Sequence, residues 1–392
     1  MNYYLINTIH AYKKIVQLIK KDVLKHPIIN FYNEQHSKRV LISYITNPFR
    51  KGIDLSHTNS SEVLEIANVF RSLSYVIDIA DYNYEGFIDY KMYDVIIGFG
   101  EPLVNSFNFK TKANIKRIYY GTGMHILLQN YNSLLRIEDV KKKKGVWITK
   151  SGRVVEKAWS EQTTIVDAMI LLGNEEVKMS YQKYFSKDIY LLKPSFHHLF
   201  NYQEILANKN FKEAKKNYLW FGSSGLVHKG LDLLLDTFKS LPNLNLHICG
   251  PIENESEFKE AYYNELYKTA NIKSYGFINI DSQTFKELIQ KCGFVIYPSC
   301  SEGGGAAILN VCGNGGLIPI LTKEASIDVD DFGFIIKAFE DSAIKTAIDS
   351  SQSLSEVEMK IRSNNSGNKF SYYSISKYKE QLKAYLELIL NK

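Results

Sequence analysis

The sequence predicts an α/β protein in which two doubly wound parallel-sheet domains face each other across a cleft. The chain has 392 residues, more than one hydrophobic core usually supports at about 100 to 200 residues per domain. Short apolar runs alternate with helical stretches in two successive series, which is the pattern of βαβ units. The apolar runs are almost uninterrupted, as expected of strands that helices cover on both faces. Such domains bind their ligand between the carboxyl ends of the two sheets.

Residues 1–36 predict an amphipathic helical extension. Its apolar stripe consists of Leu5, Ile9, Tyr12, Val16, Ile19 and Val23, and lysines occupy the opposite side. We favour an interpretation in which the apolar stripe packs on the first domain or on a second copy of it. The alternative is that the helix lies on an anionic membrane surface. The start lacks the cationic region and cleavage site of a secretory leader, and the chain has no run of about 18 apolar residues. We therefore expect a cytoplasmic protein, with contact to the inner membrane surface as an open alternative.

Residues 37–200 predict the first domain. Its strands are expected at RVLISYI, YVIDIA, YDVIIGFG, IKRIYYGTG, TIVDAMILLGN and DIYLLKP, with a helix at SSEVLEIANVFRSL. Residues 201–216 are polar and rich in lysine and asparagine, which indicates an interdomain linker.

Residues 217–350 predict the second domain. Its strands are expected at YLWFGSS, LNLHICG, IKSYGF and FVIYPS, with helices at GLDLLLDTFKSL, ENESEFKEAYYNELYKTA and DSQTFKELIQKC. Residues 351–392 are predicted as a serine-rich loop up to Lys369 and a last helix from Ser371 to Leu390.

The charge and the cysteines exclude several classes of function. The formal charge is +6, and the segment from Lys141 to Lys157, predicted as a loop, carries seven basic residues and one acidic residue. Because the excess of positive charge is local and no module with base-stacking aromatic residues accompanies it, we expect no nucleic acid as partner. The basic loop attracts a membrane surface or an acidic glycan, or it is merely solvated. The four cysteines lack the spacing of a zinc site or a redox pair and predict buried thiols.

The segment YPSCSEGGGAAILNVCGNGG is the most informative part of the chain. Three glycines, Gly303, Gly304 and Gly305, follow a strand and precede a helix, so they let a ligand approach the unpaired amides at the helix start. Glu302 suits sugar hydroxyls, because a carboxylate accepts hydrogen bonds from them. An anion site beside a polyol site predicts a sugar nucleotide. A turn that only packs tightly is the alternative.

This segment resembles the retaining GT-B glycosyltransferases of the family-4 type, the group 1 transferases. Their PSxxEGxG motif is matched here by Pro298, Ser299, Glu302, Gly303 and Gly305. The resemblance implies a GT-B architecture of two Rossmann-like domains, with the C-terminal helix crossing back to the first domain. It also implies that Glu302 lies beside the donor sugar. In the family a second Glu binds the ribose; at that position this chain has Asn310.

The segment FGSSGLVHKGLDLLLDTF resembles a second motif of the family, in which an Arg and a Lys hold the donor diphosphate. Lys229 matches the lysine, but no arginine lies between Arg153 and Arg362. The nearest replacements are Ser223, Ser224 and His228. A lysine at the start of a helix opposes the helix dipole, which favours an anion beside it. Main-chain groups around Gly276 and Phe277 are expected to recognise the base.

In the first domain, several polar residues follow predicted strands and are candidates for the acceptor side of the cleft. They are Asn47, His57, Glu101, Gly121, Gly123 and His125. His125 is the preferred candidate for a catalytic role beside Lys229 and Glu302, because a histidine there polarises a hydroxyl or phosphate; a histidine that only satisfies its loop is the alternative. The acidic triplet Asp328, Asp330 and Asp331 is expected to be solvated, and we expect no essential metal.

The resemblance implies a retaining, metal-independent transfer of a hexose from a nucleotide diphosphate sugar, a UDP or GDP sugar, to an acceptor hydroxyl. The expected partners are this donor and a glycan or lipid-linked acceptor of bacterial-type surface polysaccharide or glycolipid synthesis, with no separate cofactor. A catalytically reduced GT-B protein that binds a glycan or a partner enzyme is the alternative, suggested by the missing arginine and by Asn310. A sugar-nucleotide epimerase on the same fold is a third hypothesis.

Overall fold

The computed structural model describes residues 26–157 and 161–392. The predicted apolar stripe of the N-terminal helix lies outside these residues. The described residues form two six-stranded sheets, and every strand pairing within them is parallel. The predicted pair of parallel-sheet domains is confirmed.

The first sheet has the strand order β2-β1-β3-β4-β5-β6. Its strands are β1 (Lys38–Tyr44), β2 (Tyr75–Asp81), β3 (Val95–Gly98), β4 (Lys116–Gly121), β5 (Ala168–Leu172) and β6 (Ile189–Leu192). Its helices are α1 (Asn47–Lys51), α2 (Asn59–Ser72), α3 (Glu101–Asn105), α4 (Ile126–Lys144) and α5 (Glu175–Gln182). All residues of β3 and β5 and the last five of β1 are buried, because helices cover both faces.

The second sheet has the strand order β12-β11-β10-β7-β8-β9. Its strands are β7 (Asn217–Phe221), β8 (Asn245–Cys249), β9 (Ile272–Ser274), β10 (Phe294–Tyr297), β11 (Ile318–Thr322) and β12 (Phe334–Ile336). The helices around it are α6 (Tyr202–Ala207), α7 (Phe211–Ala214), α8 (Leu231–Phe238), α9 (Ser256–Ala261), α10 (Tyr263–Lys268), α11 (Gln283–Lys291), α12 (Ala306–Gly315), α13 (Asp341–Gln352) and α14 (Glu356–Ser371), and α15 (Ile375–Leu390) follows them.

Two helices cross between the domains. The last helix, α15, packs on the first domain, where Tyr378, Leu382 and Leu386 join the core and the Tyr378 hydroxyl lies 2.8 Å from that of Tyr120. The end of α4 crosses in the other direction, so that Val140 belongs to the core of the second domain. The two domains are therefore held in a defined relative position by packed side chains.

The serine-rich stretch up to Lys369 is helical, so the predicted loop is wrong. A capping box between Ser355 and Glu358 starts α14, which satisfies amides that would otherwise lack partners. The small residues Ser363, Ser366 and Gly367 are buried, and the Ser366 hydroxyl donates to the Leu317 carbonyl at 2.7 Å. Small polar side chains thus form the packed face of this helix, a pattern that apolar periodicity does not detect.

Two further expectations for loops are corrected. Lys141 to Lys144 form the last turn of α4, where cations interact favourably with the helix dipole. The predicted linker carries α6 and α7, and its Ile205 and Phe211 are buried in the core of the second domain. All four cysteines are free and buried, as predicted. None of the helices described is long and apolar enough to cross a membrane.

Candidate active site in the interdomain cleft

The carboxyl ends of the two sheets face a cleft that contains a cavity of about 540 Å³. In the second sheet the strand order reverses between β7 and β10, and the loops after these strands form one wall of the cavity. Loops after β1, β3 and β4 form the opposite wall. Doubly wound sheets bind ligands where the strand order reverses, so the cavity lies at the expected position.

A buried ion pair lies in the wall that the second domain contributes. The Lys229 ammonium is 2.6 Å from Glu302 Oε1, with side-chain exposures of 3% and 14%. The same Glu302 oxygen accepts hydrogen bonds from the hydroxyls of Tyr297 at 2.9 Å and Ser299 at 3.2 Å. Burial alone raises the pKa of the carboxyl, but the charges of Lys229 and Arg153 outweigh it and hold this pKa well below its ordinary value. Glu302 is therefore an ionised acceptor at the edge of the cavity.

The predicted glycine turn lies in the same wall. Gly305 has φ 46° and caps the start of α12, a conformation that favours glycine. Among the described residues, the amides from Gly303 to Ala307 make no hydrogen bond to a protein acceptor, and Gly303, Gly305, Ala306 and Ala307 line the cavity. Free amides at a helix start form an anion site.

The glycine turn also packs against the first domain. A Cβ atom at Gly303 would lie 2.0 Å from the carbonyl oxygen of Thr122, and one at Gly304 would lie 2.5 Å from Pro194. Close packing and ligand access, which were alternatives in the sequence, therefore occur together: the glycines let the two domains approach, and Gly303 and Gly305 line the cavity.

The predicted site residues divide into two groups. Those that line the cavity are His57, Gly123, Ser223, Lys229, Phe277, Glu302, Gly303, Gly305 and Asn310. Those outside its lining are Asn47, Glu101, Gly121, His125, Ser224, His228, Gly276 and Gly304. Asn47 is exposed at the start of α1, and Glu101 accepts a hydrogen bond from Lys157 at 2.7 Å.

His125 is buried and does not face the cavity, which corrects the expected position. Its Nδ1 caps α4 by accepting from the Leu127 amide at 3.3 Å, and its Nε2 lies 2.9 Å from the Thr163 hydroxyl. The ring stacks on Tyr184 at a centroid distance of 4.4 Å. Burial lowers its pKa to about 4. The histidine satisfies its own loop, the simpler of the two alternatives.

His228 is an interdomain contact. Its Nε2 lies 2.6 Å from the Ser301 carbonyl, and its Nδ1 lies 2.9 Å from the hydroxyl of Ser133 on α4. Because Nε2 must donate to that carbonyl, Nδ1 accepts from Ser133. Burial lowers the pKa of His228 to about 3, so the ring is neutral. It connects the domains and lies outside the lining of the cavity.

Asn310 lines the cavity with its amide already engaged. Its Oδ1 accepts from the His197 amide at 3.1 Å, and its Nδ2 donates to the Ala306 carbonyl at 2.9 Å. The side chain thus ties α12 to the segment that enters the second domain. The resemblance implies a ribose contact through Asn310. Such a contact is limited to the hydrogen bonds that Oδ1 and Nδ2 do not already make.

Two functional candidates are absent from the sequence predictions. Arg153 reaches the cavity from the first domain, although its local sequence reads only as part of a basic run. Glu62 lines the cavity from the first turn of α2 and is 2% exposed. It accepts from the Ser195 amide at 3.3 Å, and burial raises its pKa to about 7. In sequence Glu62 is indistinguishable from an ordinary acid near a helix start.

The acidic triplet lies outside the cavity. Asp328 accepts from Asn174 Nδ2 at 2.8 Å, and Asp330 pairs with Lys369 at 2.8 Å. Within the described residues no group of three or more His, Cys, Asp or Glu side chains is arranged to hold a metal ion. The absence of an essential metal stays a prediction.

The comparison with known families finds a match in the second domain. Residues 203–366 match the family model described as glycosyl transferases group 1. The match covers both loops of the cavity's second-domain wall, including Lys229 and Glu302. No curated protein matches the chain by sequence.

Solved structures extend the similarity to the whole GT-B fold. HepE of Anabaena in complex with UDP-glucose is 10% identical, with a TM-score of 0.58 over 90% of this chain and 100% of that one. The α,α-trehalose 6-phosphate synthase of Burkholderia multivorans is 7% identical, with a TM-score of 0.54 and the same coverage. A glycosyltransferase of Rickettsia africae is 11% identical, with a TM-score of 0.53 over 90% of this chain and 98% of that one. At these identities the likeness concerns the fold alone.

Proposed function

We propose that this chain is a retaining glycosyltransferase that moves a hexose from a nucleotide diphosphate sugar to an acceptor hydroxyl in the synthesis of a bacterial-type surface polysaccharide or glycolipid. The observation that carries the proposal is the set of unpaired amides from Gly303 to Ala307 beside the buried Lys229. All of these residues except Gly304 line the cavity. This arrangement suits a diphosphate, because amides at a helix start and a cation both stabilise negative charge.

The chemistry follows from where the charges lie. When the bond between the sugar anomeric carbon and the β-phosphate oxygen breaks, negative charge grows on the diphosphate beside the amides and Lys229. The acceptor oxygen forms its bond on the same face of the sugar, and its proton passes to the departing phosphate oxygen. This route requires no protein nucleophile and no metal. Removal of one such stabilising donor typically lowers the rate by about 10²- to 10³-fold.

Glu302 is suited to the donor sugar. It is ionised, it faces the cavity, and one of its oxygens already accepts from Lys229, Tyr297 and Ser299. Its second oxygen can accept hydrogen bonds only, which matches the hydroxyls of a hexose. Phe277, 55% exposed at the cavity rim, is placed to contact the base.

The first-domain wall suits a sugar or lipid-linked acceptor. It is rich in tyrosine, with Tyr44, Tyr82, Tyr119 and Tyr181 among the lining residues. Tyrosine offers an apolar face and a polar tip, a combination that fits the alternating faces of a sugar ring. His57 and Asn59 add polar groups to the same wall.

Peripheral membrane contact is part of the proposal. The exposed side of α4 carries Leu127, Tyr131 and Leu134, and Trp147 follows at 58% exposure. The Lys141 ammonium lies 5.8 Å from the Trp147 ring centroid. Apolar and aromatic groups beside lysines suit an anionic bilayer surface.

Sedimentation with vesicles that contain phosphatidylglycerol tests this contact. The fraction of wild-type protein that sediments should fall as the salt concentration rises, and a Trp147→Ser/Leu134→Ser variant should stay in solution. If the variant and the wild type sediment equally, the proposed membrane contact is wrong.

A nucleotide panel tests the donor site. UDP, GDP and ADP are each added to the protein and the melting temperature is measured; a working site stabilises by about RT ln(1 + [L]/Kd) with one of them. The Lys229→Ala variant should lose the shift, whereas Lys150→Ala, a change at an exposed residue outside the cavity, should keep it. If none of the nucleotides raises the melting temperature, the proposal is wrong.

The same panel distinguishes the second candidate, a catalytically reduced GT-B protein that binds a glycan or a partner enzyme. Two observations favour that candidate: the Asn310 amide is already engaged, and the second domain has no arginine before Arg362. It predicts no response to any nucleotide and no sugar release from UDP or GDP sugars.

A further inference from the structure

Arg153 is a cation of the first domain that lines the interdomain cavity. No arginine occurs between Arg153 and Arg362. The loop after β7, residues 222–230 and here called the diphosphate loop, therefore has Lys229 as its own cation. Arg153 follows the short 3₁₀ turn after α4 in the first domain, and its side chain lines the cavity beside that loop.

The backbone around Arg153 is held in place by both domains. Arg153 has φ 51°, a left-handed conformation that is unusual for a residue with a side chain. Its carbonyl accepts from Gln129 Nε2 at 3.2 Å. Two residues earlier, the Ser151 carbonyl accepts from the His228 amide of the second domain at 2.9 Å. The strained conformation is therefore fixed by neighbours on each side of it.

The side chain lies directly over the diphosphate loop. A Cβ atom at Gly225 would lie 2.2 Å from Cδ of Arg153, so a larger residue at this position would force the Arg153 side chain to move. Gly225 belongs to the same loop as Ser223, and its φ of 95° also favours glycine. The aliphatic part of the Arg153 side chain thus packs on this loop across the domain boundary.

The charges at this end of the cavity do not cancel. Lys229 is paired with Glu302, whereas Arg153 makes no ion pair with any of the described residues. Its charge acts at a distance: it contributes to the lowered pKa of His57 and of Glu302. The charged side chains that line the cavity are those of Lys229, Arg153, Glu302 and Glu62, and burial raises the pKa of the Glu62 carboxyl to about 7. Below that pH the two cations face one ionised carboxylate, a balance that suits an anion.

We propose that Arg153 binds the terminal phosphate of the donor's diphosphate from the first domain, opposite Lys229 and the Gly303–Gly305 amides. The inference rests on the proposed function and adds that the diphosphate is held by both domains. An arginine provides two parallel donors to a phosphate, which a lysine cannot. Nucleotide binding then depends on the defined position of the two domains.

The test compares nucleotides that differ in the terminal phosphate. Affinities are measured by calorimetry for the best-binding diphosphate among UDP, GDP and ADP, for its monophosphate and for the nucleoside. Arg153→Gln should weaken binding of the diphosphate by about 10- to 100-fold, the size of a lost charge-assisted pair of hydrogen bonds. Binding of the monophosphate should weaken less, and binding of the nucleoside should not change. Arg153→Lys should fall between Arg153→Gln and wild type.

Controls separate this inference from the proposed function. Lys150→Ala changes a neighbouring exposed cation and should leave all affinities unchanged; circular dichroism melting of each variant reports folding. If wild type binds a diphosphate and Arg153→Gln binds it equally well, the inference is wrong and the proposed function stands. A raised acceptor KM with unchanged diphosphate affinity also overturns it, since Arg153 then serves the acceptor. If wild type binds none of the diphosphates, both fail.

Discussion

Two buried ion pairs near the domain boundary have similar chemistry and different surroundings. The cleft pair joins Lys229 to Glu302 and borders the cavity, with Glu302 14% exposed. The interface pair joins Arg136 on α4 to Asp232 on α8, with side-chain exposures of 2% and 1%. Both connect a cation to a carboxylate in the interior, yet only the cleft pair borders the cavity.

The two carboxylates respond differently to burial. The pKa of Glu302 is held well below its ordinary value, because Lys229 and Arg153 together outweigh burial. The pKa of Asp232 is raised, because burial outweighs Arg136. Asp232 Oδ1 and Arg136 Nε also lack hydrogen-bond partners among the described residues. A buried ion pair is therefore not evidence of a functional site by itself; access to a cavity and additional donors distinguish the cleft pair.

The largest effect on stability is expected from the interface pair. Arg136→Met leaves Asp232 buried without its cation, so the free energy of unfolding should fall by about 3 to 5 kcal/mol. Urea unfolding measures this change. As a matched control, Arg136→Met/Asp232→Leu removes both charges and should recover most of the loss. A fully stable single variant would contradict the account of this pair.

Removal of the lysine of the cleft pair should affect catalysis more than stability. Lys229→Ala should lower turnover by about 10²- to 10³-fold, because the ammonium stabilises the departing diphosphate. Its effect on stability should be smaller than that of Arg136→Met, since Glu302 keeps the hydroxyls of Tyr297 and Ser299 and the nearby charge of Arg153. Steady-state transfer and melting are measured on the same preparation. Wild-type turnover would exclude the lysine from the mechanism.

A third buried carboxyl, Glu62, sharpens the comparison because it has no ion-pair partner among the described residues. Burial raises its pKa from the ordinary 4.5 to about 7, so between these values the folded protein holds a proton that the unfolded chain has lost. Its contribution to stability therefore decreases as pH rises through this window, by up to about 3 kcal/mol. Glu62→Gln should remove this decrease.

Urea unfolding at pH 5 and pH 8 measures the effect. The difference between Glu62→Gln and wild type should be larger at pH 8 than at pH 5. Other buried groups titrate in both proteins, so only this difference is informative. Identical pH dependence in the two proteins would show that Glu62 ionises normally.

The smallest effect is expected at the His228 contact. Ser133→Ala removes the hydroxyl 2.9 Å from His228 Nδ1, and the free energy of unfolding should fall by about 1 kcal/mol. Nucleotide affinity should stay at the wild-type value, because neither residue lines the cavity. A large loss of UDP or GDP affinity would instead place His228 in the donor site.

A larger share of the candidate site residues lines the cavity in the second domain than in the first. Lys229, Glu302 and Gly303 were found because they occupy fixed places in short motifs, and each lines the cavity. His125 and Glu101 were chosen because they follow strands, and His125 also because a histidine can polarise a hydroxyl or phosphate. Position after a strand brings a residue near the cleft, but the local hydrogen bonds of His125 and the ion pair of Glu101 turn both side chains away.

The sequence by itself determined the two parallel sheets and the loops after β7 and β10, because apolar periodicity and glycine placement act over a few neighbouring residues. The tertiary structure decided which groups of the first domain reach those loops. Arg153 meets Gly225, and Ser133 meets His228, across long stretches of chain. Such contacts depend on the packing of α4 against the second domain, and no local pattern encodes how two separately folded surfaces fit together.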